Sequence, residues 1–308
     1  MADERTWPRA VALLVITLIL SVSSAGVLVA VPFLALTMVL GLRRLPAAVA
    51  AMLAVFVAVG VPARGGVWYL ERGWAVALAG WFVVLTMRWP RSRFFPRAFA
   101  AVVATAALAA LLVMVRPGSW SMVNWLITEG MMRSVSLIAQ MSMAVDSEVS
   151  LSTAQLNTRF QWAAQQGRFF PALLGLSSLS GLGVAWWAYV RLSPGGGLGL
   201  GPLREFRFND HLVWLLLTGL ALIVLGAGEG WTSVGSNAVV FMGGLYAMRG
   251  AAVLLFLNGG VTGFSFFFLA VAMLFLAPVL IMGALVVGVG DTWLDLRSKV
   301  AAIAAGKS

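Results

Sequence analysis

The sequence predicts an all-α polytopic membrane protein, a transmembrane helical bundle of eight to ten membrane segments. Three observations predict it. Of 308 residues, 61% are hydrophobic and only 10% are charged, against about 25% charged in an ordinary soluble domain. Runs of about 20 apolar residues, enough to cross a bilayer as a helix, recur along the chain. The alternating pattern of barrel strands, roughly ten residues each, is absent. These numbers exclude a water-soluble enzyme, a disordered chain and a disulfide scaffold. With no Cys and a single His, His211, thiol chemistry, iron–sulfur ligation and a His-based metal site lack their residues. Neither a metal nor a cofactor is expected.

The elements follow in order. Ala10–Leu42 is a long apolar block interrupted by Ser23, Ser24, Gly26 and Pro32. It predicts a span at about 10–28 and a short return segment at about 30–42. Arg5 and Arg9 before it, with Ser24-Ala25-Gly26 after, imitate a signal peptide. Apolar sequence resumes at Val27, so an uncleaved first span is expected. Further spans are predicted at about 46–61, 73–88, 97–115, 169–190, 211–227, 235–257 and 262–290. The last contains Pro278, which predicts a kink or a split.

The stretch 117–168 differs. Ile127, Met131, Val135, Ile138, Met141, Val145 and Val149 recur at steps of three and four, the period of an amphipathic helix. Too many polar residues lie between them for a span. An interfacial helical stretch on the non-cytoplasmic side is expected, either a simple lid or a Met-rich docking face. The Gly-rich loop Pro194–Pro202 reads as a linker between an N-terminal part, 1–193, and a C-terminal part, 203–308. It is not a phosphate loop, because no Gly-Lys-Ser/Thr follows. No internal repeat supports an inverted-repeat transporter.

The formal net charge is +10, from 21 Lys and Arg against 11 Asp and Glu. The basic residues cluster in short loops. Arg43-Arg44, then Arg88, Arg91, Arg93 and Arg97, then Arg191, Arg204 and Arg207 can all lie on one side. By the positive-inside rule that side is the cytoplasm, with both termini there, in a bacterial inner membrane. The expected partners of these loops are anionic lipid headgroups, not nucleic acid.

Polar groups at depth are the functional candidates in such a chain. Asn237 opens the span 235–257, Arg249 lies inside it and Asn258 closes it. Arg249 needs a partner, a ligand or water, and Glu229, Asp210 and Asp291 are the nearest acids in sequence. Either it contacts a substrate or anion, or it forms a structural ion pair or snorkels. Glu229 fits a turn between two spans, with a substrate-facing carboxylate as the alternative. Asp291 and Asp295 are four apart and would share a helix face, able to hold a cation or act as acid and base. More simply, Asp291 ends the membrane segment and Asp295 pairs with Arg297 or Lys299. No nucleophile–base pair or catalytic motif is present, so no enzymatic activity is expected.

A resemblance adds to this reading. Pro202-Leu-Arg-Glu-Phe206, the following Arg-Phe-Asn-Asp-His-Leu-Val-Trp214, Asn237, Leu245-Tyr246 with Gly250, and the ending Gly288, Asp291, Asp295, Arg297 are similar to segments of YybS-like proteins. Phe170-Pro171 after the amphipathic stretch fits the same order. This family of uncharacterised bacterial polytopic membrane proteins resembles, distantly, the substrate-binding S components of energy-coupling-factor transporters and the cell-shape protein MreD. The resemblance implies a helical fold able to hold a small ligand or to toggle in the membrane. At Arg249 the family often carries Gln, so no role is carried over there.

Two functions follow as expectations. The first is an S-component-like protein that binds or transports a small molecule, with Asn237, Arg249 and Asn258 as polar anchors. The second is a non-catalytic scaffold or accessory subunit of a larger membrane protein complex.

Overall fold

The computed structural model describes residues 24–40, 66–116, 118, 121–123, 125–129, 158, 161, 167–192, 199–226, 228–258 and 263–305. All regular elements among them are helical, so the chain is an all-α membrane protein. The predicted span 46–61, the first part of the block 10–42, most of the interfacial stretch 117–168 and most of the linker 194–202 lie outside the described residues. The chain divides into two compact units, Met1–Leu200 and Gly201–Ser308.

The first unit contains α1 (Ser24–Leu40), α2 (Gly66–Arg88), α3 (Phe94–Val115) and α4 (Phe170–Leu192). Helix α1 corrects the sequence expectation, because no break separates 10–28 from 30–42. The chain stays helical through Gly26 and across Pro32. Pro32 removes the intrahelical donor for the Leu28 carbonyl. In an apolar bundle a neighbouring helix shields such a position and the helix continues. Here the neighbour is Gly181 of α4, packed so tightly that a Cβ would fall 2.8 Å from the Leu28 carbonyl oxygen.

Helix α1 packs on α2 and α4, and α3 packs on both of those as well. Val27, Ala30, Phe33, Leu78, Phe82, Ala98, Ala101, Leu182 and Trp186 form the buried core. Polar groups inside it are satisfied locally. Trp74 Nε1 donates to Ser178 Oγ at 2.9 Å. The hydroxyls of Thr37, Thr86 and Thr105 donate to carbonyls one turn back in their own helices. Outward faces stay apolar, as at Leu111, Leu112 and Met114 of α3, which suits lipid tails as solvent.

Arg97 is the second correction. The sequence groups it with loop arginines that set orientation, but it lies in the first turn of α3 and is only 2% exposed. The helix starts at Phe94, so Arg97 shares the inward stripe of Ala98, Ala101 and Thr105. Its guanidinium carbon lies 4.8 Å from the centre of the Trp186 ring.

The second unit contains 3-10 turns at Leu203–Glu205 and Asp210–Leu212, then α5 (Val213–Val224), α6 (Glu229–Leu257), α7 (Gly263–Leu294) and α8 (Leu296–Ala305). Gly226 and Gly228, at φ of 57° and 103°, make the turn between α5 and α6. Helix α7 leaves helical geometry at Leu276, two residues before Pro278, which is the expected kink.

Two glycine pairs set the helix spacing in this unit. Gly219 of α5 faces Gly235 of α6, each against the other's carbonyl. Gly250 of α6 lies on the Ala284 carbonyl, and Gly288 of α7 lies on the Tyr246 carbonyl. A Cβ at either Gly250 or Gly288 would overlap backbone. Close helix approach through small residues is a common mode of packing in membranes. Five helices among the described residues are long and apolar enough to cross a membrane: Tyr69–Arg88, Phe94–Val115, Phe170–Arg191, Glu229–Leu257 and Phe275–Leu294.

Candidate functional site: an ion cluster around Arg249

The Gly250–Gly288 crossing determines which polar groups meet. Arg249 adjoins Gly250, and Asp291 lies one turn beyond Gly288, so the close backbones bring the two side chains together. Both are fully buried, at 0% exposure. Arg249 Nε donates to Asp291 Oδ2 at 3.0 Å, and Nη2 reaches the Asp291 carbonyl at 3.4 Å.

A second carboxylate arrives from the chain entering α5. The Asn209 side chain accepts from the His211 N–H at 3.0 Å, an Asx-type cap that starts the 3-10 turn. That turn presents Asp210, whose Oδ1 accepts from Arg249 Nη1 at 2.5 Å. Asp210 is the open edge of the cluster, with its side chain 59% exposed. Phe208 lies beneath the guanidinium, 5.4 Å from it, and packs edge-on against Tyr246.

Arg297 closes the other side. Its Nη2 donates to Asp291 Oδ2 at 3.1 Å. Its Nη1 and Nη2 also donate to the Phe206 carbonyl, and Nη1 to the Arg204 carbonyl. The result is two arginines against two aspartates, balanced in charge, that tie the 203–212 segment to α6, the end of α7 and the start of α8. Buried charges persist only when paired and hydrogen-bonded, and here nearly all are. The exceptions are Asp291 Oδ1 and Arg297 Nε, which are buried without a hydrogen-bond partner.

Asp295 does not join this cluster. It sits in the break between α7 and α8 at φ 41°, a left-handed conformation that aspartate tolerates better than most residues. The break takes it off the helix face it would share with Asp291. Its partners are Ser298 Oγ and Arg207 Nη2, the latter at 2.6 Å. They replace the expected Arg297 or Lys299, because Arg297 is drawn to Asp291. The Ser298 hydroxyl foremost, and then Arg207, hold the Asp295 carboxyl below its ordinary range.

Of the sequence candidates, Arg249 and Asp291 are brought together and the other three are elsewhere. Asn237 is 12 residues from Arg249 on the same helix, about 18 Å along its axis, and donates to the Ser233 carbonyl. Asn258 is the exposed C-terminal cap of α6. Glu229 is exposed at the first residue of α6, about 30 Å from Arg249 along the axis. There it meets the positive end of the helix dipole, a favourable place for an acid. Asp210 and Arg297 complete the cluster. Asp210 is among the acids that the sequence offers to Arg249, but spacing alone selects neither it nor Arg297, because their role depends on a loop folding back over two helices. No group of three or more potential metal-ligating residues is found among the described residues.

No curated protein and no solved structure matches this chain. The YybS-like resemblance meets an independent finding in a family model, described as "Predicted membrane protein (DUF2232)", that matches residues 10–292. That match covers all the long helices of both units and the cluster up to Asp291, and the chain therefore belongs to this family of membrane proteins.

Proposed function

We propose that this chain is a non-catalytic multi-pass protein of the bacterial cytoplasmic membrane that works as a scaffold or accessory subunit of a larger membrane complex. On this reading, its basic turns rest on anionic headgroups. The observation that carries it is the state of Arg249. The charge expected to greet a ligand is already answered by Asp210 and Asp291, on all three of its nitrogens. An arginine so engaged serves as a lock between segments.

The small-molecule reading keeps one specific support. Asp210 is more than half exposed and Asp291 Oδ1 lacks a partner. An anionic ligand that displaced the exposed Asp210 carboxylate from Arg249, or a donor group that reached Asp291 Oδ1, would give the S-component-like alternative.

One complementation experiment separates the two. The charged set is replaced together, as Arg249→Met, Arg297→Met, Asp291→Leu and Asp210→Asn, in cells lacking the native chain. A structural lock tolerates replacement by apolar groups of similar size, so wild-type growth and membrane levels are expected. Normal membrane levels with loss of the deletion-complementing activity would sink the scaffold reading and favour a ligand at Arg249.

A further inference from the structure

A buried arginine outside this cluster leads further. Arg97 Nε and Nη2 are both buried and neither has a hydrogen-bond partner. Their N–H bonds point the same way, and form the edge through which arginine grips an oxyanion with two parallel hydrogen bonds. Leaving that edge empty in a desolvated site is costly, and the Trp186 ring 4.8 Å away offsets only part of the cost. Arg97 also sits in the first turn of a helix, where the backbone dipole disfavours a cation. The N-terminal residue Arg93 provides no side-chain cap for that turn.

The surroundings favour an anion. Arg88, Arg91 and Arg93 flank the α2–α3 turn. Arg191 lies near the end of α4 that carries Trp186, and stacks on Trp187. The carboxylates among the described residues of this unit, Glu71 and Glu129, lie toward the opposite end. Glu71 is 17 residues, about 25 Å, before Arg88 on α2, and Glu129 follows the far end of α3.

We propose that the Nε–Nη2 edge of Arg97 binds one phosphate oxyanion at the α2–α3 turn. The source is the phosphodiester of an anionic phospholipid or free phosphate. The edge is closed to water as it stands. The oxyanion enters as the largely exposed Trp89–Arg93 turn yields or the Arg97 side chain rotates. This deepens the headgroup contact proposed above by assigning it a built site at one residue.

The test uses the full chain, stripped of lipid in detergent. Its thermal unfolding is followed with inorganic phosphate, and in nanodiscs of phosphatidylcholine with and without phosphatidylglycerol. Wild type is expected to unfold at a higher temperature with the anion. A rise with inorganic phosphate identifies a soluble oxyanion, and a rise with phosphatidylglycerol alone identifies the headgroup. Arg97→Gln should abolish the rise, and Arg91→Gln, on the exposed turn, should keep most of it. Arg97→Lys retains the charge but not the paired edge, and should need about tenfold more anion. It decides the matter if Arg97→Gln does not fold. No rise in wild type, or an undiminished rise in Arg97→Gln or Arg97→Lys, overturns the site. A phosphatidylglycerol preference that is equal with and without Arg97 overturns it too, while leaving the broader headgroup reading intact.

Discussion

Arg97 in the first unit and Arg249 in the second are both almost wholly buried, yet their surroundings differ. Arg249 meets two carboxylates and a carbonyl from the same unit. Arg97 meets an indole face and has an unpartnered edge. The first is a charge neutralised by the fold, which makes it part of the architecture. The second is a charge that the described fold leaves open, which makes it a place for something from outside. Burial of an ionisable group in a membrane protein therefore does not by itself indicate function. Its partners do.

The comparison breaks most readily at Arg249. Arg249→Met alone leaves Asp291 buried beside Arg297 only and returns Asp210 to solvent, and should cost up to about 3 kcal/mol. Thermal unfolding in detergent should show it as a large loss, recovered in part by adding Asp291→Leu. If the single variant unfolds like wild type, the lock does not exist.

Next in size is the crossing that sets the cluster geometry. Gly250→Ala or Gly288→Ala pushes a methyl into backbone, and about 1–3 kcal/mol or more is expected from such overpacking. Gly73→Ala, where a Cβ meets nothing, should be neutral or slightly stabilising. Equal effects at the three positions would remove the argument for close approach.

Arg97→Met should act in the opposite direction from Arg249→Met. Without anion it removes an unpaired buried charge, and a gain of about 1 kcal/mol or more in unfolding stability is expected. A loss as large as that at Arg249 would show that Arg97 has a protein partner after all, and the contrast between the units would collapse.

The smallest effect is expected at Asp295. Its contacts with Arg207 and Ser298 are largely exposed, so Asp295→Asn should cost under about 1 kcal/mol. The folded carboxyl titrates below its ordinary range. Its contribution is therefore present above the unfolded carboxylate pKa and fades as pH falls through the lowered folded value. A pH series of unfolding temperatures for wild type and variant should converge at the acid end.

Much of the helical frame was legible. The expected spans 73–88, 97–115, 169–190 and 235–257 lie within or close to α2, α3, α4 and α6, because a long apolar run has few alternatives to a helix. Pro32 and the small residues near it misled, since they break helices in water but not beside a shielding Gly181. The Arg249–Asp291 pair was half legible, as an arginine at depth with acids near in sequence. Arg297 was hidden because its reach depends on the backbone break at Asp295. Arg97 was hidden by its neighbours, for three loop arginines within nine positions disguised a fourth that turns inward. A stripe of Ala98, Ala101 and Thr105 directly after it was the available signal.

Helix α5 has a consequence of its own. Twelve residues from Val213 to Val224 span about 18 Å, well short of the roughly 30 Å hydrocarbon layer. Helix α6, packed against it through Gly219 and Gly235, runs about 43 Å over 29 residues. A helix of the length of α6 can cross such a layer by tilting or by extending past it, whereas α5 falls short of it. In a bilayer, α5 alone therefore reaches only one surface unless the lipid beside it thins. The open edge of the Arg249 cluster, Asp210, lies at the start of this short helix.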